Sequence, residues 1–155
     1  MIGNEQFQDF FLMLMKLEGG FSNDKDDSGG ATNYGITQGL LDKLDYINVH
    51  DVRDLTMKEA EEIYFKEFYT PVRNLVNKSR ARLNGKQTYH IFDTAVNSGF
   101  GAARKLLSNF ENGGRTLQEL REHLYREIVK KDAKQSKFLT GWLNRLNRIE
   151  EEFIC

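Results

Sequence analysis

Apolar residues recur at helical spacing along most of this chain, and a glycine- and aspartate-rich stretch at 19–35 interrupts the pattern. Spacings of three and four residues place apolar side chains on one face of a helix. The interrupting stretch has no such period, and only residues 33–37 within it favour a small hairpin. With one proline and eleven phenylalanines in 155 residues, the pattern predicts a mostly α domain with a small β-hairpin near residues 20–37, large enough to bury a core.

Capping residues set the limits of several predicted helices. Thr56 and Glu59 form a capping box, as do Thr116 and Glu119, and each box predicts that a helix starts at the next residue. Pro71 is expected to end the first of these helices. The predicted helices cover about 4–17, 38–44, 57–70, 87–98 with Gly99 as C-cap, 102–110, 117–134 and 138–153, and a weakly periodic basic segment at 72–85 is expected to end at Gly85.

Glu18 occupies a position where the first predicted helix would otherwise carry an apolar side chain. It continues the stripe formed by Phe7, Phe11 and Leu14. Partial desolvation and the negative end of the helix dipole both disfavour a charged carboxylate at that position. A general acid has to be protonated near neutral pH, so Glu18 is a candidate catalytic acid.

Two further residues complete a candidate hydrolytic set. Asp27 follows Glu18 by nine residues and Thr32 follows it by fourteen. Glycosidases use one carboxyl group as an acid and a second as a base or nucleophile, and a neighbouring hydroxyl can orient the attacking water. Asp27 is therefore a candidate base and Thr32 a candidate water-positioning residue. As alternatives, Asp27 could form a turn with its acidic neighbours and Thr32 could bond its own loop.

Several segments resemble the glycoside hydrolase 108 family, which contains bacterial and phage N-acetylmuramidases. They occur in the family's order over nearly the whole chain. The segments are Glu18-Gly-Gly-Phe21, Asp27, Gly29 to Ile36, Ala60 to Pro71, Phe92 to Gly99 and Phe138 to Arg145. Phe21 stands where the family usually has tyrosine, which removes a hydroxyl and keeps the ring.

The resemblance implies a lysozyme-like fold and an activity. It implies one domain, 1–155, with a catalytic half at 1–70 and a helical, peptidoglycan-binding-like half at 71–155. The expected activity is hydrolysis of the β-1,4 glycosidic bond between N-acetylmuramic acid and N-acetylglucosamine, with Glu18 as general acid. A phage endolysin or another bacteriolytic enzyme would have this activity.

Three more residues are candidates for binding the substrate. Tyr34 could line the sugar cleft or pack the hairpin. Asp93 and Asn97 are one turn apart on a predicted helix and could hydrogen-bond saccharide hydroxyls. Asn97 could equally satisfy backbone groups near the end of that helix.

Two other functions fit the same resemblance. A lytic transglycosylase uses one glutamate on the same glycan and forms an anhydro product without hydrolysis. A non-catalytic cell-wall-binding or secretion-accessory protein would perform no chemistry, but such a protein has no need of Glu18 in a glycine-rich loop.

The distribution of charge is compatible with an anionic polymer as partner. There are 14 acidic and 6 basic residues through Thr70, against 9 acidic and 16 basic residues from Pro71 onward. The charges of the two halves could also complement one another within the fold or simply be solvated. Bacterial peptidoglycan glycan strands are the expected partner, with no nucleic acid, no membrane insertion and no indication of oligomeric state.

No metal or other cofactor is expected. Asp24, Asp26, Ser28 and Gly29 match part of a calcium-binding EF-hand loop, but Gly35 stands where that loop requires a glutamate. The three histidines are scattered and lack metal-ligand spacing.

No signal peptide is expected, because the first residues lack a basic segment and a sufficiently long apolar one. The expectation is synthesis in the cytoplasm and action in the periplasm or cell wall, after holin-type release or dedicated export.

Overall fold

The computed structural model of the chain describes residues 2–18 and 31–153. The chain divides into two compact units, Met1–Lys66 and Glu67–Cys155. The described residues are mostly α-helical with one two-stranded antiparallel hairpin. The predicted fold class is therefore confirmed. Within residues 2–18 and 31–153, no helix combines the length and the apolar character needed to cross a membrane.

The first unit contains three helices and the hairpin among its described residues. A 3-10 helix at Val52–Asp54 lies between the second and third α-helices. The elements are α1 (Glu5–Leu17), β1 (Thr32–Asn33), β2 (Ile36–Thr37), α2 (Gln38–Leu41) and α3 (Met57–Ile63).

Helix α1 forms as its sequence predicts. The Asn4 side chain caps it by accepting a hydrogen bond from the Phe7 amide at 2.9 Å. The stripe with Phe7, Phe11 and Leu14 is buried, and the Phe7 and Phe11 rings stack with centroids 5.8 Å apart. Full burial of each such side chain stabilises the fold by about 1.5–3 kcal/mol, so this stripe fixes which face of α1 turns inward.

The hairpin has a two-residue turn of the type I′ kind. Asn33 pairs with Ile36, and the two turn residues, Tyr34 and Gly35, have φ values of 54° and 77°. A type I′ turn requires positive φ at both positions. Glycine adopts this conformation without strain, whereas a tyrosine there is uncommon and strained.

A π-helical stretch, Tyr64–Tyr69, follows α3 and contains the division between the units. The second unit has helices that follow one another with short connections, and a 3-10 helix at Ala133–Gln135. Its helices are α4 (Thr70–Asn77), α5 (Gly85–Ser98), α6 (Phe100–Glu111), α7 (Leu117–Lys131) and α8 (Ser136–Glu152).

Two predicted helix limits are wrong. Pro71 does not end a helix: it is the second residue of α4, and the helical backbone continues without a break from the π-helical stretch into α4. Gly85 does not end the basic segment but begins α5. The reason is an unpredicted capping box: Asn84 accepts from the Gln87 amide at 2.8 Å, and the Gln87 side chain accepts from the Asn84 amide at 2.9 Å.

The other helix signals are confirmed. The Thr56 and Thr116 capping boxes are both formed, and Gly99 ends α5 with a φ of 93°. The core of the second unit is rich in aromatic rings. Trp142 stacks on Tyr125 with centroids 5.0 Å apart, which places it among side chains of its own unit.

Candidate active site

Glu18 is the first residue after α1. Its amide donates to the Leu14 carbonyl at 2.8 Å, and its backbone is extended, with φ −89° and ψ 147°. The side chain is neither fully buried nor fully exposed. The end of a rigid, well-packed helix therefore fixes the position of the Glu18 backbone.

The hairpin turn packs directly against the Glu18 side chain. A Cβ atom built on Gly35 would lie 2.5 Å from the Tyr64 hydroxyl oxygen and 3.0 Å from Glu18 Cδ. A Cβ atom essentially never comes within 3.0 Å of another heavy atom, so a larger residue here would displace the Tyr64 hydroxyl and press on the Glu18 side chain. The positive φ of Gly35 also favours glycine at this position, whatever the space around it.

Tyr64 also holds the turn. Its ring is fully buried, and its hydroxyl donates to the Tyr34 carbonyl at 2.6 Å. The sequence places Tyr64 only within the predicted helix at 57–70. A buried tyrosine hydroxyl usually requires a partner, but an acceptor thirty residues away cannot be identified without the fold.

Side-chain amides attach the hairpin to the segment before α3. The Asn33 amide is buried and donates to the Val52 carbonyl at 3.1 Å. Gln38 accepts from the Val52 amide at 2.8 Å and donates to the His50 carbonyl at 2.7 Å. Neither anchor was predicted from the sequence, and together they fix the strands on which Thr32 and Tyr34 lie.

Thr32 and Tyr34 lie on that hairpin. Thr32 is in β1, opposite Thr37, and Tyr34 is the first turn residue, next to Gly35. Both side chains are partly exposed. The structure thus brings Glu18 together with the hairpin that carries Thr32 and Tyr34. Asp27, and the residues of the rejected calcium loop, fall in 19–30 and lie outside the described residues.

Asp93 is in the second unit and does not face a cleft. Its carboxylate is 0% exposed and accepts hydrogen bonds from Arg121 at 2.7 Å and from Arg145 at 2.8 and 3.0 Å. Tyr89 donates to it at 3.2 Å. The expectation that Asp93 hydrogen-bonds a saccharide does not fit this geometry, because the carboxylate has no exposed surface and its oxygens are used within the protein.

The charges around Asp93 explain how a buried carboxylate stays ionised. Burial alone raises the pKa of Asp93, but the Arg145 and Arg121 charges outweigh burial and hold this pKa well below its ordinary value. Asn97 is exposed and donates to the Asp93 backbone carbonyl at 2.8 Å. A sugar-binding role for Asn97 stays a prediction.

His90 extends this cluster. Arg121 carries only donors, so the contact of 3.1 Å between Arg121 and Nδ1 of His90 requires Nδ1 to accept. The proton therefore resides on Nε2, which donates to Glu150 at 2.7 Å. Burial and then the Arg121 charge lower the pKa of His90 against the opposing effect of Glu150. His90 is a neutral interior residue, whereas the sequence analysis identified no more than a scattered histidine.

Within 2–18 and 31–153, no three histidine, cysteine or acidic side chains are grouped so that they could hold a metal ion.

A mostly α fold in which a carboxyl side chain from the end of a helix contacts a small β-hairpin is that of a lysozyme-like protein. A family model described as Glycosyl hydrolase 108 matches residues 11–99, more than half of the chain. The chain belongs to the glycosyl hydrolase 108 family. It is accordingly a glycoside hydrolase that acts on peptidoglycan.

A solved structure supports the fold assignment. The structure of Brucella abortus SagA superposes with a TM-score of 0.68 at 22% identity, over 94% of this chain and 91% of that one. At this identity the likeness shows the fold. No curated protein sequence matches the chain significantly.

Proposed function

We propose that this protein is an N-acetylmuramidase that hydrolyses the β-1,4 bond between N-acetylmuramic acid and N-acetylglucosamine, with Glu18 as the general acid. The observation that carries this proposal is the contact between the Glu18 side chain and Gly35 of the hairpin. It puts a carboxyl group from a rigid helix end beside a partly exposed turn, within the segment that the family model matches.

In the proposed reaction, the Glu18 carboxyl group donates its proton to the glycosidic oxygen. The bond between that oxygen and C1 of the muramic acid breaks, and N-acetylglucosamine leaves with a hydroxyl at C4. Asp27 takes a proton from a water molecule oriented by Thr32, and the resulting hydroxide adds to C1. A carboxyl separation of about 6.5–9.5 Å would give inversion, and about 5–5.5 Å would give retention through a covalent intermediate.

Tyr34 and Asn97 are proposed substrate contacts. Tyr34 is supported by its place in the turn beside Gly35, where an aromatic ring can stack on a sugar. Asn97 is supported by its exposure. The substrate is in the periplasm or cell wall, so the proposal includes release through a holin or through a dedicated export route.

The proposed function is tested with Glu18→Gln on purified Gram-negative peptidoglycan. The amide keeps the shape of the side chain but cannot donate a proton as an acid. We expect wild type to release new reducing ends and Glu18→Gln to lose activity by at least about 100-fold, a typical contribution of acid catalysis. Asp9→Asn is a matched control, since it removes one exposed carboxylate from the same helix and should retain full activity.

The same assay separates the alternatives. Anhydromuramic products instead of reducing ends would identify a lytic transglycosylase. Binding to peptidoglycan without any cleavage by wild type would identify a wall-binding or secretion-accessory protein. Full activity in a folded Glu18→Gln variant would contradict the role of Glu18.

A further inference from the structure

We propose that Tyr64 is a positioning residue for Glu18: its hydroxyl holds the hairpin turn in place, so that the backbone of Gly35 fixes the Glu18 carboxyl group for proton transfer. This inference rests on the proposed role of Glu18 as general acid. It adds to the reaction a residue that does not contact the substrate.

The first support is the hydrogen bond from Tyr64 to the turn. The donor is on a fully buried ring whose centroid lies 6.1 Å from that of Phe11, a core residue of α1. The acceptor, at 2.6 Å, is the carbonyl of Tyr34. The ring is therefore held by the same helix that ends at Glu18, and its hydroxyl reaches across to the hairpin.

The second support is the strained backbone at the acceptor. Tyr34 has a φ of 54°, a conformation that bulky side chains rarely adopt. Such residues persist where the surroundings hold them, and they cluster at functional sites. The Tyr64 hydroxyl bonds directly to the carbonyl of this residue, so the bond helps to hold the strained turn.

The third support is the shared contact at Gly35. The position of a Cβ atom on Gly35 lies 2.5 Å from the Tyr64 hydroxyl oxygen and 3.0 Å from Glu18 Cδ. The hydroxyl oxygen and the carboxyl carbon are therefore separated by no more than the sum of these distances. Removing the hydroxyl frees the turn carbonyl and leaves a gap beside Gly35, and the Glu18 side chain can then shift.

This arrangement predicts a specific kinetic change. Displacement of a catalytic group by about 1 Å can reduce a rate about 100-fold. Tyr64→Phe keeps the ring and removes only the hydroxyl. With solubilised peptidoglycan chains as substrate, we expect kcat to fall about 10- to 100-fold and KM to stay within about twofold. A residue that only stabilises the fold would leave kcat unchanged in molecules that remain folded.

Tyr125→Phe is the matched control. Tyr125 is also buried and its hydroxyl also makes a hydrogen bond, accepting from Arg121 at 2.9 Å in the second unit. We expect this variant to keep the wild-type kcat. Both variants are assayed at a temperature at which circular dichroism shows them to be fully folded.

Gly35→Ala provides a second test of the same contact, in combination with Tyr64→Phe. The added methyl group would displace the Tyr64 hydroxyl and the Glu18 side chain from the same contact, so kcat should again fall at least about 10-fold. Because the two substitutions break one contact, the double variant should lose little more than the worse single variant. If the kcat of the double variant falls by the product of the two single-variant losses, the substitutions act independently and the inference is contradicted.

The outcomes distinguish this inference from the proposed function. A folded Tyr64→Phe variant with near wild-type kcat, or with only its KM changed, would overturn the role of Tyr64. If Glu18→Gln is inactive in the same assay, the proposed function still stands. An active Glu18→Gln would overturn both.

Discussion

Replacement of Asp93 by asparagine should destabilise the second unit severely. The carboxylate is 0% exposed, and Arg121, which donates to it at 2.7 Å, is 1% exposed. Asparagine has nearly the same shape but carries no charge and presents an NH₂ group to donors. The substitution therefore leaves the Arg121 charge buried beside a neutral group, which typically costs about 3–5 kcal/mol.

A loss of this size is a large part of the whole free energy of unfolding, which is about 5–15 kcal/mol for a typical domain. For a chain of this length, each kcal/mol lowers Tm by about 2–4 °C, so Tm should fall by about 6–20 °C. The change is measured by urea unfolding at pH 7, followed by far-ultraviolet circular dichroism. Glu122→Gln is the control, because Glu122 forms a half-exposed ion pair with Arg126, and it should cost less than about 1 kcal/mol.

The stabilisation that Asp93 contributes should decrease at acidic pH. The pKa of Asp93 is depressed in the fold, so its contribution to stability is present above about pH 4, the ordinary aspartate value, and is lost as the pH falls further. The variant should lose less stability than wild type on acidification below pH 4. A loss under about 1 kcal/mol at pH 7 would show that the buried Arg121 charge does not depend on the Asp93 carboxylate. A raised KM in the folded variant would restore Asp93 as a substrate contact.

Three further predictions concern other contacts. The pKa of His90 is lowered in the fold, so the contribution of His90 to the free energy of unfolding should be fully present above about pH 6.5 and be lost as the pH decreases. His90→Gln should reduce the loss of free energy of unfolding between pH 7 and 5. An unchanged pH dependence in this variant would show that His90 does not cause that loss. Asn33→Ala removes the amide that donates to the Val52 carbonyl at 3.1 Å, while the Leu55 amide still donates to that carbonyl at 3.2 Å, so it should cost about 0.5–1.5 kcal/mol in urea unfolding. No measurable loss would contradict the anchoring role. Tyr34→Ala should raise KM more than it lowers kcat, and an unchanged KM would remove Tyr34 from the substrate contacts.

The sequence predicts much of the fold because its signals are local. The Thr56 and Thr116 capping boxes and the Gly99 C-cap each use residues within one helical turn, and all three are present. The errors at Pro71 and Gly85 have a local cause as well. Proline is compatible with the first turn of a helix, and a glycine beside Asn84 can begin a helix as readily as end one.

The site is less accessible to sequence reasoning, because its contacts join distant residues. Glu18 and the hairpin are both identifiable locally, but the packing of Gly35 on Glu18 and the bond from Tyr64 to Tyr34 depend on tertiary structure. Asp93 illustrates the opposite error. Its spacing from Asn97 is correct, but Arg121 and Arg145 come from other helices and turn an apparent binding residue into a buried one.

The most direct test of the central claim is digestion of peptidoglycan in heavy-oxygen water, with the products analysed by mass spectrometry. We expect wild type to produce N-acetylmuramic acid reducing ends that carry one heavy oxygen, and folded Glu18→Gln to produce none. Anhydromuramic ends without heavy oxygen, reducing ends on N-acetylglucosamine, or equal labelling by the variant would each contradict that claim.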